Sequence, residues 1–79
     1  MINIAVPKMG MGTTEVEIIK WVVKKGDSVK PGDPIVEIET EKVSYTIESE
    51  VLGAIDEILY KEGDSVPIGK VLCRIKEGR

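Results

Sequence analysis

The chain has 79 residues, 42% of them hydrophobic and 32% charged, with a net charge of −3 and no histidine. That leaves room for one small globular domain, residues 1–79, burying only ~60% of the surface its unfolded chain exposes. Without histidine the commonest general base and metal ligand are missing, so an independent enzyme is not expected. The acidic, interspersed charges speak against binding a nucleic-acid backbone. With no Phe, one Trp and two Tyr, the core has to be aliphatic. No apolar run reaches membrane-spanning length and no signal-peptide pattern is present, so no membrane association is expected. One cysteine makes no internal disulfide. Met1 directly precedes a strand-like segment, which suggests a prokaryotic cytoplasmic protein.

The periodicity is that of β-structure throughout. Ile2, Ile4 and Val6 alternate with Asn3 and Ala5 in a half-buried strand ended by Pro7. Met9-Gly10-Met11-Gly12 reads as a loop, with Met9 and Met11 capping the fold. Thr14 to Lys24 reads as one strand whose alternation slips after Ile18, which predicts a bend or bulge. Gly26-Asp27 and Pro31-Gly32-Asp33-Pro34 are turn signals around a short Ser28-Val29-Lys30 segment. Ile35–Glu39 and Ser44–Ser49 read as two strands joined tightly around Glu41-Lys42. Ala54–Tyr60, Ser65-Val66 and Val71–Lys76 complete the set. Eight or so short strands without a helix predict an all-β barrel or sandwich.

A shift of 37 residues superposes Gly26-Asp27-Ser28-Val29 on Gly63-Asp64-Ser65-Val66, Ile18 on Ile55 and Ile38 on Ile75. A stacked array needs at least three copies, so two copies predict one domain of two similar halves about a pseudo-two-fold axis. The same shift takes Lys42 to Arg79, which predicts that the two stand at opposite poles. Cys73 matches Val36 and reads as a core thiol. Trp21 reads as packing, and Lys20, Lys24, Lys25 and Lys30 as a solvated face. The repeated glycines Gly26, Gly32, Gly63 and Gly69 read as turn residues with positive φ, since no helix follows them to form a phosphate site.

Glu39-Thr40-Glu41-Lys42-Val43 places an exposed, flexible amine at a hairpin tip, where it can be acylated. It is the only basic residue between Glu37 and Glu50. On the residues alone, a solvated hairpin that keeps a strand edge soluble is the favoured reading, because charged turns are ordinary.

With Val6-Pro7-Lys8-Met9-Gly10-Met11, Trp21, Gly26-Asp27, Gly32-Asp33, Gly53, Glu62-Gly63-Asp64 and Pro67-Ile68-Gly69, this pentapeptide makes the chain resemble a lipoyl domain along its whole length. Such domains are the carrier modules of the acyltransferase component of 2-oxo acid dehydrogenase complexes. The family signature is Glu-Thr-Asp-Lys-Ala, so Glu41 replaces an Asp and Val43 an Ala. The resemblance implies a flattened barrel of two four-stranded antiparallel sheets, with lipoate joined by an amide to Lys42 at a hairpin tip. It makes Glu39, Thr40, Glu41 and Val43 the residues by which the tip is recognised. Glu39 matches an acid that favours lipoylation over biotinylation, and related biotinyl domains carry Met-Lys-Met at the tip. Val16 stands where many such domains have Gly, which implies a different loop path there.

A lipoyl carrier shuttles acyl groups and reducing equivalents in a 2-oxo acid or acetoin dehydrogenase complex and has no catalytic residue of its own. Its implied partners are a 2-oxo acid decarboxylase, the acyltransferase catalytic domain, dihydrolipoamide dehydrogenase and a lipoate ligase or transferase. The isolated domain is expected to be a monomer, and the chain the N-terminal part of a longer acyltransferase. The alternatives are a biotinyl carrier of a carboxylase and an unmodified β-barrel interaction module.

Overall fold

The computed structural model describes residues 1–10 and 12–78. Eight strands follow one another: β1 (Ile2–Ala5), β2 (Glu15–Trp21), β3 (Ser28–Val29), β4 (Pro34–Glu39), β5 (Ser44–Glu48), β6 (Gly53–Ile58), β7 (Ser65–Pro67) and β8 (Val71–Glu77). All pairings are antiparallel and make two four-stranded sheets, ordered β1-β8-β6-β3 and β5-β4-β2-β7. The body measures 38 × 20 × 17 Å, a flattened barrel of the kind the family resemblance implies.

The 37-residue repeat is visible bond by bond. Gly26 N–H donates to Ile55 O and Ile55 N–H to Asp27 O, both at 2.8 Å. Their counterparts run from Gly63 to Ile18 at 2.8 Å and from Ile18 to Asp64 at 2.9 Å. Each half lends its short middle strand to the other half's sheet, β3 pairing with β6 and β7 with β2. Gly26 and Gly63 have φ of 95° and 92°, a left-handed conformation that an L side chain resists. The aspartate after each glycine closes its turn, Asp27 accepting from Lys24 N–H at 2.8 Å and Asp64 from Lys61 N–H at 2.9 Å.

The outer strands obey a different offset. Ile2 and Ile4 of β1 face Ile75 and Cys73, whereas Tyr45 and Ile47 of β5 face Ile38 and Val36. β1 therefore matches β5 at a shift of 43, and the stretch from Ile2 to Val16 is six residues longer than the equivalent stretch from Tyr45 to Gly53. The neighbouring pair Ile2 and Ile75 occupies in one sheet the place that Tyr45 and Ile38 hold beside the hairpin in the other. The Arg79 pole predicted from the repeat lies outside the described residues, as does Met11.

Register slips explain where the alternation fails. Pairing jumps from Ile18 to Lys20, so Ile19 is the extra residue, and Asp56 is its counterpart in β6. A second pair of bulges falls at Ile35 and Leu72 and lets Ile35-Val36 and Leu72-Cys73 each bury two consecutive side chains. β2 ends at Trp21, short of the Lys24 read from composition, because the chain bends at Val22-Val23. The core between the sheets is aliphatic, with Ile18, Ile35, Val36, Ile38, Val66, Leu72, Cys73 and Ile75 fully enclosed.

Candidate functional site

β4 and β5 form the hairpin that carries Lys42. Glu39 and Ser44 pair across its end, with the Ser44 hydroxyl donating to Glu39 Oε2 at 3.4 Å. Thr40 N–H then donates to Val43 O at 2.8 Å and leaves Glu41 and Lys42 as the two turn residues. The Thr40 hydroxyl accepts from Lys42 N–H and Val43 N–H, each at 3.2 Å, and donates to Val43 O at 3.3 Å. Glu39, Glu41, Lys42 and Val43 are exposed and Thr40 is half-buried. The structure thus brings all five tip residues together at one projecting turn.

Beside this turn lies an open groove of about 560 Å³, walled by the tip on one side and by the start of β2 on the other. Glu15 and Glu17 join Glu39 and Glu41 on its walls, and Lys42 is the cation there. Glu17 and Glu39 are in-register neighbours, two like charges placed opposite each other across the β2–β4 ladder. Among the described residues the one ion pair is Arg74–Glu57, so the Lys42 amine is held by none of the four carboxylates. A primary amine that is exposed, unpaired and rooted in an ordered backbone suits covalent attachment. Glu15 and Glu17 escape a sequence reading because their alternation shows only an exposed strand face. Their place opposite the tip follows from β2 pairing with β4.

The remaining candidates have structural places. Val16 is a strand residue, buried in β2 and paired with Val66, so the altered loop path expected there is corrected. The valine's branched side chain fills core space. Met9 is half-buried against the core. Trp21 packs on the core as predicted, while its backbone N–H donates to Glu62 Oε2 at 3.0 Å. Lys20, Lys24, Lys25 and Lys30 are all exposed. Cys73 is buried, and desolvation pushes its thiol from the ordinary 9.0 to about 11. Among the described residues no helix is long and apolar enough to cross a membrane.

Comparison with known proteins gives consistent matches. A biotin/lipoyl family model, described as biotin-requiring enzyme, matches residues 2–75. The chain is 40% identical over 78 residues to the dihydrolipoyllysine-residue succinyltransferase component of the 2-oxoglutarate dehydrogenase complex of Staphylococcus saprophyticus. That match covers 99% of the chain and 18% of the relative. The lipoamide acyltransferase component of the branched-chain alpha-keto acid dehydrogenase complex of Bacillus subtilis is 37% identical, over 94% of the chain and 18% of the relative. The chain thus spans about a fifth of the length of these curated relatives. Among solved structures, the lipoyl domain of the Azotobacter vinelandii 2-oxoglutarate dehydrogenase complex superposes with a TM-score of 0.84 at 35% identity, over 100% of both chains.

Proposed function

The chain belongs to the biotin- and lipoyl-attachment domain family, and within it to the lipoyl domains; from that premise we propose that Lys42 carries lipoate, joined through an amide to its ε-amine. The observation that carries the proposal is the exposed, unpaired Lys42 at an ordered two-residue tip. The fold is that of a carrier that takes a lipoate- or biotin-type group covalently. The finer choice of lipoate is supported by the lipoyl-domain neighbour and by Glu41 and Val43 beside the lysine, where biotinyl domains carry methionines.

The residues present fit such a group. The long side chain of Lys42 adds its own reach to whatever it bears, while its backbone stays fixed by the turn. Bound lipoate would supply a dithiolane that is reductively acylated and reoxidised. The chain itself supplies position: a stiff barrel, an ordered tip, and an acidic groove beside it. Glu39, Glu41 and Val43 stay exposed on that tip, where a modifying enzyme can read them.

On this proposal the domain is the mobile carrier of a longer acyltransferase in a bacterial cytoplasm. Its partners are a 2-oxo acid decarboxylase, an acyltransferase catalytic domain, dihydrolipoamide dehydrogenase and a lipoate ligase or transferase. The named relatives, bacterial components of multienzyme dehydrogenase complexes, support this. Tethering raises the local concentration of the loaded arm at each active site.

The test is an intact mass with peptide mapping after co-expression with a lipoate ligase and, separately, a biotin ligase. A lipoyl increment on Lys42, lost in a folded Lys42→Arg, is the expected result. A biotinyl increment instead, no increment at all, or lipoylation of Lys42→Arg would each overturn the assignment.

A further inference from the structure

We infer that Thr40 is a positioning residue for the acylation of Lys42, acting through its hydroxyl on the tip's backbone and not through contact with the enzyme that reads the tip. The inference rests on the lipoylation proposed above. Two-residue hairpin loops favour turns whose central residues adopt positive φ, because their twist then matches that of the strands. Glu41 and Lys42 both have negative φ, since no described residue other than glycine is positive. Such a tip is mismatched to its strands and, beyond the single Thr40 N–H to Val43 O bond, needs closure from elsewhere.

The Thr40 side chain provides that closure. A hydroxyl has one proton to give and two lone pairs to receive. Here the proton goes to Val43 O, and the lone pairs take Lys42 N–H and Val43 N–H. Its hydrogen-bonding capacity is spent inside the turn, which leaves none for a partner. The amide at the root of Lys42 is thereby tied down while the amine is left loose. A modifying enzyme meets a lysine whose backbone is already ordered, and pays less entropy to align it.

The test compares initial rates of modification by a lipoate ligase on the purified 79-residue chain and its variants, with thermal melts and amide hydrogen exchange alongside. Thr40→Val keeps the shape and loses the hydroxyl; Thr40→Ser keeps the hydroxyl; Thr40→Ala is a second variant without it. Expected is a fall of about tenfold or more in kcat/KM for the valine and alanine variants, with faster exchange at the Lys42 and Val43 amides. The serine variant should stay within about twofold of the native rate, and all three should remain folded. Hydroxyl-less variants modified at the native rate, or a serine variant as slow as valine, would overturn the role of Thr40 alone. A native chain that is never modified would overturn the carrier proposal and this role with it.

Discussion

Arg74 and Glu57 face each other in register across β8 and β6, with Arg74 Nη1 donating to Glu57 Oε1 at 2.8 Å. Thirty-seven residues upstream the same two places hold Glu37 and Lys20, also in register, with the signs of charge exchanged. The fold accepts either polarity at this position, directly after a bulge in both halves. Reversing both members of one pair should therefore be tolerated where reversing one is not. Arg74→Glu, which sets two carboxylates face to face, is expected to cost up to about 1 kcal/mol. Glu57→Lys combined with it should restore most of that loss. A denaturant-unfolding double-mutant cycle measures the coupling, and a coupling of zero would show the pair to be idle.

Gly53 and Gly26 are glycines for different reasons. A Cβ on Gly53 would meet Lys76 O and the Ile75 side chain at less than van der Waals distance, where β6 approaches β8. At Gly26 the space is open and only the φ of 95° forbids a side chain. Gly53→Ala should cost about 2–3 kcal/mol through displacement of β8. Gly26→Ala should cost about 1–2 kcal/mol through backbone strain. D-alanine at each position, placed by chemical synthesis and followed by equilibrium unfolding, separates the two. At position 26 it suits the positive φ and should restore stability; a loss equal to that of L-alanine would refute the conformational account.

The buried thiol of Cys73 gives a pH signature. Its folded value of about 11 lies above the ordinary 9.0. The neutral thiol is favoured by folding, so its contribution is whole below pH 9 and declines as pH rises through 11. Cys73→Ala lacks this titration while sharing every lysine and tyrosine. The stability gap between native and variant proteins, from guanidinium unfolding at pH 8 and pH 11, should narrow by up to about 2 kcal/mol. A gap independent of pH would contradict the desolvation of the thiolate.

The sequence carries local chemistry well and pairing poorly. The turn glycines and the bulge after Ile18 are legible because each follows from a residue's own φ preference or from a break in alternation. The Lys42 tip shows as the short gap between two strand-like runs, and its role only through the family resemblance. The exchange of β3 and β7 between halves is not legible, since a two-residue strand has no period from which a partner could be read. The match of β1 with β5 was hidden by the six extra residues after β1, which carry it out of the 37-residue frame. At the site, the resemblance marks Thr40 as a residue by which the tip is recognised, not as one that closes the turn. That its hydroxyl closes the turn depends on the negative φ of Glu41 and Lys42, which composition does not encode.

Because β7 borders β2, and β2 borders β4, the strand leading to Lys42 is braced by residues that follow it by more than twenty positions. Lys42 emerges from a ribosome ahead of Ser65–Pro67, and so before that sheet can be completed. The finished hairpin is therefore a certificate that β7 is in place. On the carrier proposal, a truncated or misfolded copy still contains Lys42 but lacks the scaffold that holds it out, so a modifying enzyme that demands the ordered tip would spend its cofactor only on folded domains.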